Sequence, residues 1–385
     1  MKVTGDAKSV VMAATAGDSA TVKGDRAGGV DIHIAGATAV VTLDRCAAHN
    51  ALTDSMRRAI ADVVPGLARD ARIYAVVIRS ACPRAFCAGG DVREITAMAR
   101  RDPAAARASL AREYGLNWLL ECFSKPTVSL IDGVVMGSGV GISLYGTHRV
   151  AGEGYAFAMP ETALGLFPDD GVCHAFARMP DEVGLFLGLT GRRIGRADAY
   201  ALGLVTHCLP ASRFAEVEAA LADADPVDPL LDGRHVDPGP APLAPFRPLI
   251  GSCFSAPSLG EIFRRLDAAV GQGGDTGTFA AGVLADLARA SPLSLAVTFR
   301  HIREARGLDL RLTLMRDYRL ACRFLEGSDF YEGVRALLVD KDRNPRWQPA
   351  GLGEVAAGSV DRFFQLRLED ELVLPTRQEM QAARV

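Results

Sequence analysis

The chain has 385 residues, 49% of them hydrophobic and 23% charged, and a formal net charge of −3. Such a composition suits one large globular domain or a domain with an appendage. The slight acidity leaves no broad basic field, which argues against nucleic acid as the main partner; an anionic ligand would have to be met by a few Arg or Lys or by helix N-termini.

Residues 1–29, "MKVTGDAKSVVMAATAGDSATVKGDRAGG", lack the long apolar core of a signal peptide and mix Asp with Lys, unlike a mitochondrial presequence. They read as a flexible tail. No later apolar run approaches membrane-spanning length without charges or helix breakers, so a soluble, cytoplasmic protein with no membrane partner is expected. The eight cysteines show no CxxC and no zinc spacing. They read as reduced core thiols, and no metal is expected.

Residues 30–225 carry an α/β pattern. "VDIHIAGATAVVTLDR" alternates apolar and polar residues about "AGA", as a hairpin does. Thr53 and Asp54 open "TDSMRRAIADVVPGLARDA", apolar at helical spacing, and "IYAVVIRSA" is a short buried-strand run. The same order recurs at "PTVSLIDGVVMGSGVGISLYGTHRVAG", where Val128 to Ile131 are expected to feed a glycine-rich turn and a helix.

From about Pro180 the pattern becomes mostly helical. It is interrupted by "PVDPLLDGRHVDPGPAPLAPFRP", which places a Pro-rich connection over 226–250, since proline continues neither a helix nor a central strand. Residues 251–385 then read as a helical region containing "GEIFRRLDAAV", "GTFAAGVLADLARA" and "SPLSLAVTFRHIREAR".

Two turns stand out. In "AFCAGGDVREI" a strand end passes through Ala88, Gly89 and Gly90 into a helix opened by Asp91; in "GVVMGSGVGISL" Gly137, Ser138 and Gly139 do the same. Either each turn is tight only because helix and strand pack closely, or a pair of uncovered N–H groups, one from each turn, forms an oxyanion hole. "GSGVGI" lacks the third glycine of a dinucleotide fingerprint, and Met136 stands where a nucleophile elbow needs glycine before Ser138. Cys87 has no His placed beside it by sequence and reads as a small buried thiol. His148 and His174 read as structural.

In "AMPETALGLFPDDG", Glu161 and Asp169 lie eight positions apart and are joined through Gly165 and Pro168. The segment reads as a loop that folds back, bringing both acids to one cavity. Asp170 reads as solvated or as a cap for the next helix, and Asp169 alone also suits an Asx turn after Pro168.

"AFCAGGDVREI", "KPTVSLIDGVVMGSGVGISL", "HRVAGEGYAFAMPETALGLFPDDG" and "LTGRRIGRADAYALGLVTH" resemble the successive motifs of the enoyl-CoA hydratase/isomerase (crotonase) superfamily. "SPLSLAVTFRHI", "MRDYRLACRFLEG" and "GSDFYEGVRALLVDKDRNPRWQPA" are similar to its 3-hydroxyisobutyryl-CoA hydrolase branch; the likeness runs from about Val30 to Phe364. It implies a spiral of ββα units with a helical C-terminal region, an acyl-CoA substrate whose coenzyme A is part of the substrate and not a cofactor, and a homo-oligomer: trimer, hexamer or smaller. Carried over by motif, the oxyanion donors are the N–H groups of Gly90 and Ser138, the latter where the family usually has glycine. Ala88, Gly89, Asp91 and Gly137 are implied substrate-binding neighbours. Glu113, in "REYGLN", matches a substrate-contacting glutamate and equally suits an exposed helical residue.

Hydratases of this superfamily use two glutamates, and the first position is here Gly141. The hydrolase branch shares that glycine and keeps acids matching Glu161 and Asp169, which are the implied catalytic pair. The resemblance therefore favours hydrolysis of a short-chain 3-hydroxyacyl-CoA, with a hydratase, isomerase or lyase as the alternative. Two departures bear on the substrate: "DRCAAHNAL" has Ala47 where a lysine often meets the coenzyme A phosphates, and "PDDGV" replaces a glycine-rich "PDVGG".

Overall fold

The computed structural model describes residues 28–367 and 371–385. The expected tail therefore lies almost wholly outside the described residues. The hairpin forms as β1 (Val30–Ala35) and β2 (Thr38–Leu43), antiparallel, with Val30 opposite Leu43 and Ala35 opposite Thr38. The helix α1 (Asp54–Arg69) begins where Thr53 Oγ1 accepts the Met56 N–H at 3.2 Å, and its Met56, Ile60 and Val64 stripe faces the core.

From β3 (Ala75–Ser80) the chain climbs as a spiral that serves two sheets alternately. β3 joins the large sheet, β4 (Ala85–Cys87) joins the small one, and α2 (Val92–Arg101) and α3 (Pro103–Cys122) return the chain. Asp102 caps α3 by accepting from the Ala104 and Ala105 N–H groups, with Pro103 at the first helical position. The next turn adds β5 (Thr127–Ile131), β6 (Val134–Met136) and the short α4 (Ser138–Gly141).

The glycine-rich turn is thus not fed by β5, as the sequence suggested, but by β6. Asp132 and Gly133 carry the chain across to the small sheet, where "VVM" pairs with distant strands that no local pattern reveals. A third turn gives β7 (His148–Ala151), β8 (Ala156–Ala158), α5 (Val172–Phe176) and α6 (Val183–Thr190); β9 (Ile194–Gly195), α7 (Arg196–Ala201), β10 (His207–Cys208) and α8 (Phe214–Ala222) complete the spiral. The large sheet runs β1-β2-β3-β5-β7-β10, parallel beyond the hairpin, and the small sheet β4-β6-β8-β9. This is the α/β fold of ββα repeats that the motifs implied.

The segment 226–250 is not free of helix: α9 (Val227–Asp232) holds Pro229 in its first turn, where a missing N–H costs nothing, and α10 (Arg247–Phe254) begins within it. α11 (Leu259–Val270), α12 (Gly274–Arg289), α13 (Pro292–Ala305) and α14 (Leu310–Glu326) follow. α15 (Asp329–Val334) runs into a π-helical turn at Arg335–Val339, and α16 (Ala357–Phe364) and α17 (Arg377–Ala382) end the chain. α14 and α15 lay Phe324 and Phe330 against Tyr114 and Trp118 of α3, so the C-terminal helices close a second core over the first.

The cysteines are not all thiols. Cys46 and Cys82 are bonded to each other, their Cα atoms 5.3 Å apart. Both flank Asn50, whose Nδ2 donates to Ser80 Oγ and the Phe86 carbonyl, and this local fold brings together two residues 36 positions apart. Five of the other six are buried. Among the described residues no single helix is long and apolar enough to cross a membrane.

Candidate active site

β4 and β6 are parallel neighbours, so the two glycine turns that follow them emerge at the same end of the small sheet. Gly137 sits at φ +45, in the region that favours glycine, and a Cβ there would lie 3.2 Å from Glu161 Oε1 and 3.3 Å from Gly89 Cα. The turns therefore touch. Among the described residues neither the Gly90 nor the Ser138 N–H has a hydrogen-bond partner. Such a pair at a helix start is suited to a developing oxyanion.

All the residues singled out from the sequence, Ala88, Gly89, Gly90 and Asp91, Glu113, Gly137 and Ser138, Glu161 and Asp169, line one cavity of about 1000 Å³. Its apolar wall comes partly from Leu110, Leu166, Leu325 and Phe330. Asp91 caps α2 through the Glu94 N–H and pairs with Arg45 at 2.8 Å, which fixes the first turn at the rim.

The loop does fold back. Glu161 opens a 3-10 turn, Glu161–Leu164, and the Leu166 N–H returns to the Glu161 carbonyl at 2.9 Å. Its carboxyl is buried, Oε2 has no partner, and burial, with Asp170 nearby, pushes it up to about 8. Asp169 accepts the Tyr114 O–H at 2.8 Å. Burial, then the charges of Glu113, Glu161 and Asp317, raise it well above the ordinary carboxyl range.

Asp170 is neither solvated nor a cap. It is 1% exposed, accepts Asn117 Nδ2 at 2.6 Å and has Oδ2 without a partner, while Gly171 takes the cap position of α5 with no side-chain bond. Its charged form is disfavoured by burial and by Asp169. The carboxyl occupies the space beside α4: a Cβ on Gly141 would come within 2.8 Å of Asp170 Oδ1 and 2.9 Å of Asn117 Oδ1. No second acid can stand at 141 without displacing both.

Glu113 is not an exposed helical residue. It is buried, accepts the Ser138 hydroxyl and pairs with Arg57 at 3.2 Å. Arg57 is itself 4% exposed and also donates to the Leu52 carbonyl and Ser109. Burial disfavours its charge, but Glu113, Asp170 and Asp54 more than offset that. One buried guanidinium thus faces a cluster of carboxyls, an excess of acid that keeps some of them protonated.

Cys87 is buried beneath the first turn, and desolvation pushes its thiol up to about 12, which makes it inert. His148 bonds Asp228 at 2.8 Å on the far side of the large sheet, and His174 is a half-buried residue of α5. Neither lines the cavity. Ala47 does, and the cations lining the same cavity are Arg45, Arg57, Arg93 and Lys341.

Tyr114, Asn117 and Asp317 stand inside the stretches "REYGLN" and "MRDYRLACRFLEG" but are not singled out there, and Arg57 lies outside every stretch matched to the family. Nothing in the helical periodicity of "TDSMRRAIADVVPGLARDA" separates the buried Arg57 from its exposed neighbour Arg58.

A thioester-sized cavity with two free N–H donors opposite buried carboxyls, on a ββα spiral, defines a crotonase-type enzyme of CoA-thioester chemistry. The chain belongs to the enoyl-CoA hydratase/isomerase family, whose model it matches over residues 38–364. It is 38% identical over 340 residues to the mitochondrial 3-hydroxyisobutyryl-CoA hydrolase of Xenopus tropicalis, covering 86% of this chain and 87% of that one. To 3-hydroxyisobutyryl-CoA hydrolase 1 of Arabidopsis thaliana it is 37% identical, over 89% and 93%. Among solved structures, a carnitinyl-CoA dehydratase from Mycobacterium thermoresistibile superposes with a TM-score of 0.84 at 34% identity, over 90% of this chain and 98% of that one. An enoyl-CoA hydratase from Rhodobacter sphaeroides gives 0.83 at 35%, over 90% and 100%.

Proposed function

We propose that the protein hydrolyses a short-chain 3-hydroxyacyl-CoA thioester, 3-hydroxyisobutyryl-CoA foremost, to the free acid and coenzyme A. The carrying observation is the pairing of Glu161 and Asp169 in the cavity of the two free N–H groups, while Asp170 and Asn117 fill the place beside Gly141 where a hydratase's second glutamate would stand. Both curated relatives named above are hydrolases of that ester.

In this reading the thioester oxygen accepts from the Gly90 and Ser138 N–H groups. Ionised Glu161 either removes a proton from the attacking water or attacks the carbonyl carbon itself to give an anhydride that water then opens. Either way the carbonyl oxygen becomes an oxyanion held by the two donors, the C–S bond breaks, and the thiolate leaves and takes up a proton. Loss of one such donor costs on the order of 10²–10³ in rate. Asp169 meets the 3-hydroxyl or orients the water. The coenzyme A arm leaves past Arg45, Arg93 and Lys341 toward an adjoining cavity of about 1210 Å³ that shares Arg93 and Lys341 and adds Arg100 and Arg346.

The solved relatives named dehydratase and hydratase favour a second reading, a lyase or hydratase/isomerase acting on the acyl chain. The test is free-thiol release from 3-hydroxyisobutyryl-CoA, with 3-hydroxypropionyl-CoA and crotonyl-CoA in parallel, for the wild type and Glu161→Ala. Thiol release that disappears in the variant supports the hydrolase; crotonyl-CoA consumed with its thioester intact transfers the case to the second reading.

A further inference from the structure

The turn that carries Asp169 is gripped from behind by two side chains to which the reaction above gives no part. Asp317, on α14, accepts the Gly171 N–H through Oδ2 at 2.7 Å, and its Oδ1 meets Nε2 of His301, on α13, at 2.6 Å. Both side chains are 0% exposed. His301 Nδ1 has no partner, so the ring places its proton on Nε2, where a carboxylate receives it.

The turn needs holding. Asp170 and Gly171 follow one another at φ +55 and φ +76, and a non-glycine residue in that region persists only where its surroundings dictate it. Three hydrogen bonds do so: Tyr114 to Asp169 and Asn117 to Asp170, both from α3, and Gly171 to Asp317, from α14. The first two grip side chains; the third ties the backbone of the turn to the C-terminal helices.

Satisfying one buried N–H requires only a neutral acceptor, and a carboxylate is a costly choice where its side chain is 0% exposed. Its dedicated imidazole partner occupies the second oxygen and fixes the plane of the carboxyl. Among the described residues, groups whose charge interacts with Asp317 include Asp169, Tyr114, Tyr145 and Cys173 on the site side, and His301 and Arg316 on the helical side. Of these, Asp169 is the one that reaches the cavity.

We propose that Asp317 is a positioning residue for the thioester reaction, that His301 orients its carboxylate, and that the pair sets where Asp169 stands against the acyl group. This rests on the hydrolase reading. It makes the C-terminal helices part of the catalytic apparatus and not merely a cover for it.

The test compares full-length Asp317→Asn, His301→Gln and His301→Phe with the wild type. Asn keeps the size and an acceptor for Gly171 but loses the charge; Gln keeps a donor for Asp317; Phe has none. The readouts are kcat and KM for thiol release from 3-hydroxyisobutyryl-CoA across pH, thermal melts, and a ¹³C titration of the Asp169 carboxyl, which needs no turnover. Expected are a kcat lower by about 10- to 100-fold in Asp317→Asn and His301→Phe with KM within about twofold, and near-normal kcat in His301→Gln. In Asp317→Asn the Asp169 carboxyl should also titrate at lower pH. Losses that follow the unfolded fraction in the melts, or an Asp169 titration unmoved in Asp317→Asn, overturn the proposal; should that variant not fold, equal kcat in the two His301 variants does so. A wild type that releases no thiol while the Asp169 titration still moves removes the hydrolase reading alone.

Discussion

Replacing Glu161 by Gln should abolish thiol release and, at the same time, make the protein more stable. A base must be ionised to act, yet this one is buried with Oε2 unpartnered, and its proton is held up to about 8 instead of 4.5. For an acid whose folded value is raised, the unfolded chain releases the proton first. Stability is therefore full below about 4.5, falls as pH rises, and levels off above about 8. At about 1.4 kcal/mol per pH unit, the interval from 4.5 to about 8 amounts to about 5 kcal/mol of strain carried by the wild type at alkaline pH. Gln carries no such proton, so the urea-unfolding free energies of wild type and Glu161→Gln should coincide near pH 4.5 and diverge steadily to pH 8 in favour of the variant. The same titration should appear in wild-type kcat/KM, rising with an apparent midpoint near 8 as the base ionises. Parallel stability curves for the two proteins across that window would refute the reasoning, since burial would then not be what holds the proton.

Gly141→Ala should be destabilised by about 1–3 kcal/mol, because its Cβ meets Asp170 Oδ1 at 2.8 Å and Asn117 Oδ1 at 2.9 Å, and Asp170→Gly in the same chain should recover part of the loss in a denaturant titration. Arg57→Met leaves Glu113 buried beside other acids and should cost about 3–5 kcal/mol, part of it returned when Glu113→Gln is added; a double-mutant cycle measures the coupling. Ser138→Gly keeps the backbone donor and removes only the hydroxyl that Glu113 accepts, so thiol release should remain within about tenfold. Competition between 3-hydroxyisobutyryl-CoA and bulkier acyl-CoA esters should show the preference relaxing toward the larger ones.

Much of the fold was legible because it is local. The hairpin at 30–43, the Thr53 cap of α1 and the passage of "CAGGD" into α2 each follow from turn chemistry and periodicity within a dozen residues. Glu161 and Asp169 could be paired for the same reason, since eight residues interrupted by Gly165 and Pro168 have few ways to run but back. The strand end before Gly137 belongs to a separate strand, β6, and not to Val128–Ile131, because three residues, Val134–Met136, become a strand only through the partners that flank them. An aspartate in a turn is usually solvated or caps the helix that follows, as expected of Asp170; Asn117, 53 positions away, and the packed face of α4 decide otherwise.

What the sequence determined by itself was the order of elements and the motifs that mark the family, with the acids, glycines and serine brought to the site. Tertiary structure alone decided the state of those acids. The proton affinity of Glu161 and Asp169 depends first on how much water is excluded and then on which charges and donors stand nearby: Asp170 for Glu161, and Glu113 and Tyr114 on α3 and Asp317 on α14 for Asp169. Solvent exclusion and Coulomb interaction act through space between residues as distant in the chain as Asp169 and Asp317, and a pattern read along the backbone contains no such distances.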